Sequence, residues 1–273
     1  MNPFNSMRKA LTLIELVFVI VILGIVASIG SEIIANTYES YIVQRAQFRA
    51  TTKTELALSQ IANRLRYAIP STVMAEDGGT LKPITEITAT SSNRLQWVAY
   101  DGDSFEAMTS GSRNPGWSGF CDIDDSNATA LSTPGSNLAL TSTIIGNLGG
   151  TLNNNARIYF PDGTNYTVTS ANGSTIFLNI PAGAGNRLYE RYKLAWSSYA
   201  LSVDSNGDLY LYYNFSPTVG AALGNNKSLL LKNVTNFRFK GSEGSLRVKI
   251  CKEEQIGTNA AETIHACKEK VIF

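Results

Sequence analysis

The chain has 273 residues, of which 44% are hydrophobic and 16% are charged, and its formal net charge at pH 7 is +1. The charged share is low beside the roughly 25% of an average soluble protein, and the balance of charges excludes a generally basic, nucleic-acid-binding chain. The length allows one large domain with an extension.

The first predicted element is an apolar run from Leu11 to Ser31 that contains a single charge, Glu15. As a helix this run would be about 31 Å long, close to the roughly 30 Å hydrocarbon core of a bilayer. Arg8 and Lys9 precede it, as expected when the N-terminus stays in the cytoplasm. The run is longer than the apolar region of a secretory signal, and no small-residue cleavage site follows it. The sequence therefore predicts a single membrane-spanning helix.

The position of Glu15 inside the apolar run makes insertion into a membrane less favourable. A carboxylate inside a membrane helix costs about 2.5–3.5 kcal/mol on insertion scales, and the apolar run offers no cation to pair with it. A simple membrane anchor gains nothing from that cost. We therefore expect the partner of Glu15 to come from another subunit, or from a free amine made by cleavage.

The segment from Arg8 to Leu16, RKALTLIEL, resembles the processing site of type IV prepilins and type II secretion pseudopilins. That family has a basic leader, a cut between a small residue and a hydrophobic one, and glutamate as the fifth mature residue. In this chain the cut falls between Ala10 and Leu11, which makes Glu15 the fifth residue. Ala10 and Leu11 stand where the family most often has Gly and Phe.

The resemblance implies how the chain is processed and used. A prepilin peptidase would cut after Ala10, the new amine of Leu11 would be methylated, and Glu15 would pair with that amine on a neighbouring subunit. The protein would be a single-pass inner-membrane protein with a periplasmic head. It would enter a type IV pilus or a type II secretion pseudopilus with other subunits, through an inner-membrane assembly platform. Major pilins tend to be shorter, so the length favours a minor subunit.

Two alternatives use the same N-terminal segment differently. The head could make the chain a tip adhesin or a minor pilin for DNA uptake. The chain could also be a periplasmic enzyme held by an uncleaved signal anchor. A single histidine, His265, and the lack of a nucleophile elbow or a phosphate-binding glycine loop predict that it is not an enzyme.

The helix is predicted to continue past the membrane. Apolar residues recur at helical spacing from Ile34 to Ile69, and Pro70 ends the pattern. The predicted helix runs from Leu11 to Ile69 and is about 88 Å long. Its part over 11–36 would span the membrane, and its part over 37–70 would pack on the head.

Residues 71–273 are predicted to form an antiparallel β-sheet head, which with the long helix gives an α+β, pilin-like fold. The Asn206-Gly207 pair predicts a type I′ hairpin turn. Residues 102–150 show little periodicity and are predicted to be a loop insertion. The predicted strands cover 95–100, 157–160, 166–168, 175–178, 189–203, 208–215, 228–231, 234–240 and 246–251.

Cysteines near the C-terminus predict a disulfide. Cys251 and Cys267 could close a short loop in an oxidising periplasm, which would stabilise the fold by about 3 kcal/mol. Cys121 is left free or with a partner that the sequence does not identify. A metal site built from Cys251, His265 and Cys267 is the alternative, but it lacks an evident fourth ligand.

Two further groups of polar residues are weaker candidates for binding sites. Asp204, Asn206 and Asp208 alternate as in the opening of a calcium loop, but Phe215 stands where an EF-hand needs glutamate. We therefore expect no cofactor, with calcium at this turn as the alternative. A basic patch on a strand pair could be a solvated face or, in a DNA-uptake pilus, a contact for DNA; it consists of Arg238, Lys240, Arg247 and Lys249.

Overall fold

The computed structural model of the protein describes residues 12–87, 93–109, 111, 113–181, 187–242, 244–256 and 262–272. Its helices and strands, in chain order, are α1 (Leu13–Leu65), β1 (Met74–Asp77), β2 (Thr80–Pro83), β3 (Arg94–Ala99), α2 (Gly102–Glu106), β4 (Ala130–Ser132), α3 (Leu138–Asn147), β5 (Arg157–Tyr159), β6 (Asn165–Asn172), β7 (Thr175–Asn179), β8 (Lys193–Ala195), β9 (Ser197–Val203), β10 (Leu209–Phe215), β11 (Lys227–Leu231), β12 (Val234–Ser242), β13 (Ser245–Gln255) and β14 (Thr263–Ile272).

Helix α1 is continuous over 53 residues and is therefore about 80 Å long. It ends four residues before the predicted end at Ile69. The backbone N–H of Ile69 donates to the carbonyl of Val98 in β3 at 2.9 Å, so this part of the chain joins the sheet instead of the helix. Pro70 reinforces that choice, because a proline disfavours helical geometry in the residue before it.

Three antiparallel sheets form the head. A six-stranded sheet has the order β11-β10-β9-β3-β1-β2, a three-stranded sheet the order β12-β13-β14, and a five-stranded sheet the order β4-β7-β6-β5-β8. Every pairing within them is antiparallel, for example β3 with β9 and β13 with β14. The long helix followed by antiparallel sheets confirms the predicted α+β fold.

The first hydrophobic core holds the second half of α1 against two of these sheets. Ile61 and Leu65 of α1 pack in one cluster with Trp97 of the six-stranded sheet and Val248 of the three-stranded sheet. All four side chains are at most 1% exposed. The predicted stripe is only partly correct: Ile61 and Leu65 are buried, but the large apolar residues earlier in the stripe are exposed, namely Ile34, Tyr38, Tyr41, Phe48 and Leu56. The helix packs instead through a face that is rich in small residues, and it is buried only from Ala46 onward.

The second hydrophobic core lies under the five-stranded sheet. It includes Trp117, Leu131 and Ile145 from the segment 102–150 that was predicted to be a loop insertion. In the structure this segment contains α2, β4 and α3, and Asn137 caps α3 by accepting a hydrogen bond from the N–H of Leu140. Within α3 the buried residues Leu138, Thr141 and Ile145 follow helical spacing, whereas Trp117 and Leu131 join them only after folding.

The predicted strand 189–203 is divided between two sheets. β8 belongs to the five-stranded sheet and β9 to the six-stranded sheet, with Trp196 between them. The chain therefore crosses from one core to the other within a single apolar run. Four strands were not predicted from the sequence: β1, β2, β4 and β14.

The predicted hairpin between β9 and β10 is present, but its turn differs from the predicted type. Val203 pairs with Leu209, so five residues form the loop. Gly207 has a positive φ of 77°, whereas Asn206 does not share that conformation. A type I′ turn needs positive φ at both central residues, so the Asn-Gly pair here serves a longer loop.

Candidate functional site

The first half of α1 has an apolar surface that the rest of the chain leaves uncovered. Every residue from Thr12 to Ile29 is exposed, and the exposed fraction reaches 82% at Leu13. This part of α1 is long and apolar enough to cross a membrane, and none of it is buried within the protein. A surface of this kind needs lipid or other chains to cover it.

Glu15 lies in the first turn of this exposed segment. None of the ion pairs among the described residues includes it. The next cation along α1 is Arg45, thirty positions later, which places it about 45 Å away along the helix. The described part of the chain therefore offers Glu15 no counter-charge within reach.

Thr12 holds the carboxylate of Glu15 at the start of the helix. The Thr12 backbone N–H and hydroxyl both donate to Glu15 Oε2 at 3.4 Å, and Thr12 Oγ1 accepts from the Glu15 backbone N–H at 3.4 Å. This reciprocal pair is a capping box. It turns the carboxylate back toward the N-terminal end of α1, where a neighbouring amine could approach it.

The role of Thr12 was not predicted, although the sequence carries a signal for it. The order Thr-Leu-Ile-Glu over residues 12–15 matches the capping-box pattern of Ser or Thr followed three residues later by Glu. Ala10 and Leu11, the predicted cleavage and methylation positions, lie outside the described residues. Their roles remain predictions.

The predicted disulfide between Cys251 and Cys267 is confirmed. The two residues face each other in the register of β13 and β14, and their sulfur atoms are bonded. A disulfide leaves no thiolate to bind a metal, so the structure gives no support to the alternative metal site with His265.

Cys121 is a free and buried thiol that touches Ser126. Burial raises the pKa of the Cys121 thiol. A buried thiol with a raised pKa is poorly reactive, so this residue acts as part of the second core.

Among the candidate calcium residues, the carboxylate of Asp204 already accepts hydrogen bonds within the hairpin loop. Asp204 Oδ1 accepts from the backbone N–H groups of Asn206 and Asp208, both at 2.9 Å. These bonds explain an aspartate at position 204 as a loop residue. Calcium at this turn has no support from the geometry.

The four predicted basic residues share one exposed face of the three-stranded sheet. Arg238 is directly opposite Lys249, and Lys240 is directly opposite Arg247. Glu269 of β14 forms an ion pair of 3.1 Å with Arg247, which partly neutralises the patch. The face is therefore basic, with one acidic residue at its border.

The comparison with protein families gives one result for this chain. Residues 5–31 match the family described as the prokaryotic N-terminal methylation motif. The matched range contains the basic residues before α1, Glu15 and most of the exposed apolar segment. Searches of curated proteins and of solved structures found no match.

Proposed function

Because the chain carries the N-terminal methylation motif of prepilin-type proteins, we propose that it is a minor structural subunit of a type IV pilus or a type II secretion pseudopilus. The observation that carries the proposal is Glu15, an acid at the start of an uncovered apolar helix, to which the described part of the chain offers no counter-charge. A partner subunit would supply both the missing cation and the missing cover.

The proposed assembly begins with cleavage between Ala10 and Leu11 by a prepilin peptidase and methylation of the Leu11 amine. That amine, on a neighbouring subunit, then pairs with the Glu15 carboxylate. The pair offsets the cost of a bare charge in lipid, which is about 2.5–3.5 kcal/mol on insertion scales. Lateral contacts with other subunits replace the lipid around the apolar half of α1.

The proposed location is the inner membrane, with the head in the periplasm. Two observations support it. Arg8 and Lys9 precede the apolar run, which favours a cytoplasmic N-terminus. The Cys251–Cys267 disulfide lies in the head, and such bonds form and persist in oxidising compartments. An inner-membrane assembly platform would then draw the anchored subunit into the filament.

We propose a structural rather than a catalytic role for the chain, since its N-terminal features serve assembly. The large head supports a low-copy, minor position in the filament. A second candidate is a minor pilin for DNA uptake, favoured by the basic face of β12 and β13. Binding of duplex DNA that is lost in the Arg238→Gln/Lys249→Gln variant would support that candidate.

The test combines mass spectrometry of the mature N-terminus with a filament incorporation assay. We expect the mature chain to begin at methylated Leu11. We expect Glu15→Gln to lower incorporation at least tenfold while membrane insertion is unchanged, because the variant cannot pair with an amine. Glu32→Gln, also in the exposed part of α1, is the matched control and should assemble normally.

Two results would contradict the proposal. One is a mature chain that retains Met1 or begins near Ala27. The other is a Glu15→Gln variant that enters filaments as well as the wild type does.

A further inference from the structure

A cavity of about 620 Å³ lies in the head, where the chain leaves α1 and meets the five-stranded sheet. Pro70 and Ser71 form one wall of it. Its volume is in the range of pockets that hold small organic ligands. Aromatic rings form most of the remaining wall, and they belong to Tyr100, Phe105, Trp117, Tyr159, Phe160 and Tyr192.

The polar atoms of three of these rings are engaged inside the protein. The indole N–H of Trp117 donates to the carbonyl of Asp101 at 2.9 Å, and the hydroxyl of Tyr159 donates to the carbonyl of Pro217 at 2.6 Å. The hydroxyl of Tyr192 is 2.7 Å from that of Thr133. These three side chains are at most 4% exposed and form the packed base of the cavity, so the ring surface open to a ligand comes mainly from Tyr100 and Phe105.

The rings also hold one another in place. The Trp117 ring centroid is 4.7 Å from that of Phe105 and 5.7 Å from that of Tyr192. The Tyr100 ring meets Trp117 edge to face at 6.3 Å. A preformed wall of packed rings loses little conformational entropy when an aromatic ligand binds.

Two cations line the same cavity. Arg191 and Lys193 flank Tyr192 in sequence, and both line the cavity. Neither forms an ion pair with any residue that the structure describes. The ammonium group of Lys193 lies 5.0 Å from the centre of the Tyr100 ring.

The surroundings of Lys193 favour the binding of an anion. It is half-buried, and this burial lowers the pKa of its ammonium group. The ammonium group of Lys193 has lost part of its hydration, and none of the ion pairs among the described residues includes it. An anion placed beside it would restore the lost interaction and would make a charge-assisted hydrogen bond.

We propose that this cavity binds a small carboxylate that carries an aromatic ring. The carboxylate would lie beside Arg191 and Lys193, and the ring would pack against the accessible rings of Tyr100 and Phe105. Among the lining residues that the structure describes, only Ser71 and Ser118 carry aliphatic hydroxyls, so the wall offers few side-chain hydrogen bonds to a sugar. The proposal is independent of how the N-terminal helix assembles.

Fluorine NMR of the full chain in detergent micelles tests the proposal, with 4-fluorophenylacetate as the probe. We expect saturable binding that weakens about tenfold in Lys193→Gln, as for the loss of one charge-assisted hydrogen bond. Lys232→Gln, an exposed lysine outside the cavity, is the matched control and should bind like the wild type. Ser71→Trp should fill the cavity and abolish saturable binding.

A second comparison changes the probe and keeps the wild-type protein, so the test stays valid if a variant folds poorly. The neutral analogue 4-fluorophenylacetamide should bind the wild type at least tenfold more weakly than the carboxylate. Equal binding of the two probes would overturn the role of the cations. Unchanged binding in a folded Ser71→Trp variant would overturn the cavity as the site, and binding at the level of empty micelles would overturn the proposal itself.

Discussion

The two halves of α1 share one continuous backbone but differ in what covers them. From Thr12 to Ile29 every residue is exposed. From Ala46 onward one face is buried against the sheets of the first core, and its buried residues are Ala46, Ala50, Thr54, Ala57, Leu58, Ile61, Ala62 and Leu65. The helix therefore persists with and without tertiary cover, and the side chains decide which partner each half requires.

The size of the side chains separates the two halves further. The exposed half is dominated by Leu, Ile, Val and Phe on all sides, whereas half of the buried positions in the second half are alanine. Small residues allow the sheets to approach the helix backbone closely. An all-round apolar surface instead suits lipid or the neighbouring helices of a filament.

The largest expected effect comes from removing a buried side chain in the covered half. Leu65→Ala should lower the free energy of unfolding of the head by about 2–5 kcal/mol, because it leaves a cavity in the first core. Ile22→Ala removes a similar side chain that is 58% exposed, and it should leave the stability of the head unchanged. Urea unfolding of the full chain in micelles, followed by the fluorescence of its three tryptophans, measures both.

Equal unfolding curves for these two alanine variants would show that the two halves of α1 contribute equally to the stability of the head. A selective effect of Ile22→Ala on filament incorporation, with normal head stability, would sharpen the distinction between the halves.

The disulfide tests how much the covered half depends on the sheet beneath it. β13 and β14 both contact α1, and the Cys251–Cys267 bond joins these strands. Cys251→Ser/Cys267→Ser should destabilise the head by about 3 kcal/mol, since the bond closes a loop of about 16 residues in the unfolded chain.

A reducing agent provides the control for the disulfide. It should destabilise the wild type by a similar amount and leave the double serine variant unaffected. If the fully reduced wild type keeps its stability, the sheet holds α1 without the bond.

The smallest expected effect for a single residue depends on pH and comes from buried tyrosines of the head. Burial raises the pKa of Tyr159 and of Tyr192 to about 12. In the unfolded chain both ionise near pH 10, so between pH 10 and 12 the native state binds more protons than the unfolded state. Stability should therefore fall as pH rises through that window, by up to about 2–3 kcal/mol for each tyrosine.

A spectrophotometric titration of the native chain measures this. The pKa is raised for five of the 12 tyrosines, and we expect Tyr159 and Tyr192 to be the last two to ionise. Tyr192→Phe should remove one late step and weaken the loss of stability at high pH. A titration in which that variant keeps both late steps would refute the assignment.

The candidate assembly site was predictable from the sequence because its features are local. Glu15, the cations before it and the apolar run lie within about 25 residues of sequence, and helical geometry places Glu15 in the first turn of the apolar segment. The capping box of Thr12 and Glu15 is also local. The disulfide was predictable in part, since two cysteines 16 residues apart can always close a loop.

The head was predicted less completely. Most strands with β-branched and aromatic runs were found, such as β3 and β10. β14 was missed because it carries lysine and glutamate among few apolar residues, and its strand conformation comes from ten residues of pairing with β13. The segment 102–150 was missed for a related reason, since Trp117, Leu131 and Ile145 gain a common core only in three dimensions.

The sequence by itself determined the membrane-spanning helix, its acid at position 15, the processing motif and the α+β class, because each follows from local spacing and from the cost of placing charge in lipid. Only the tertiary structure decided where α1 ends, how the sheets divide into two cores, and which rings and cations line the cavity. The cavity joins residues from Ile69 to Lys193, and the first core joins residues from Ala57 to Ile272. Contacts at such separation depend on packing and strand register, which no local pattern encodes.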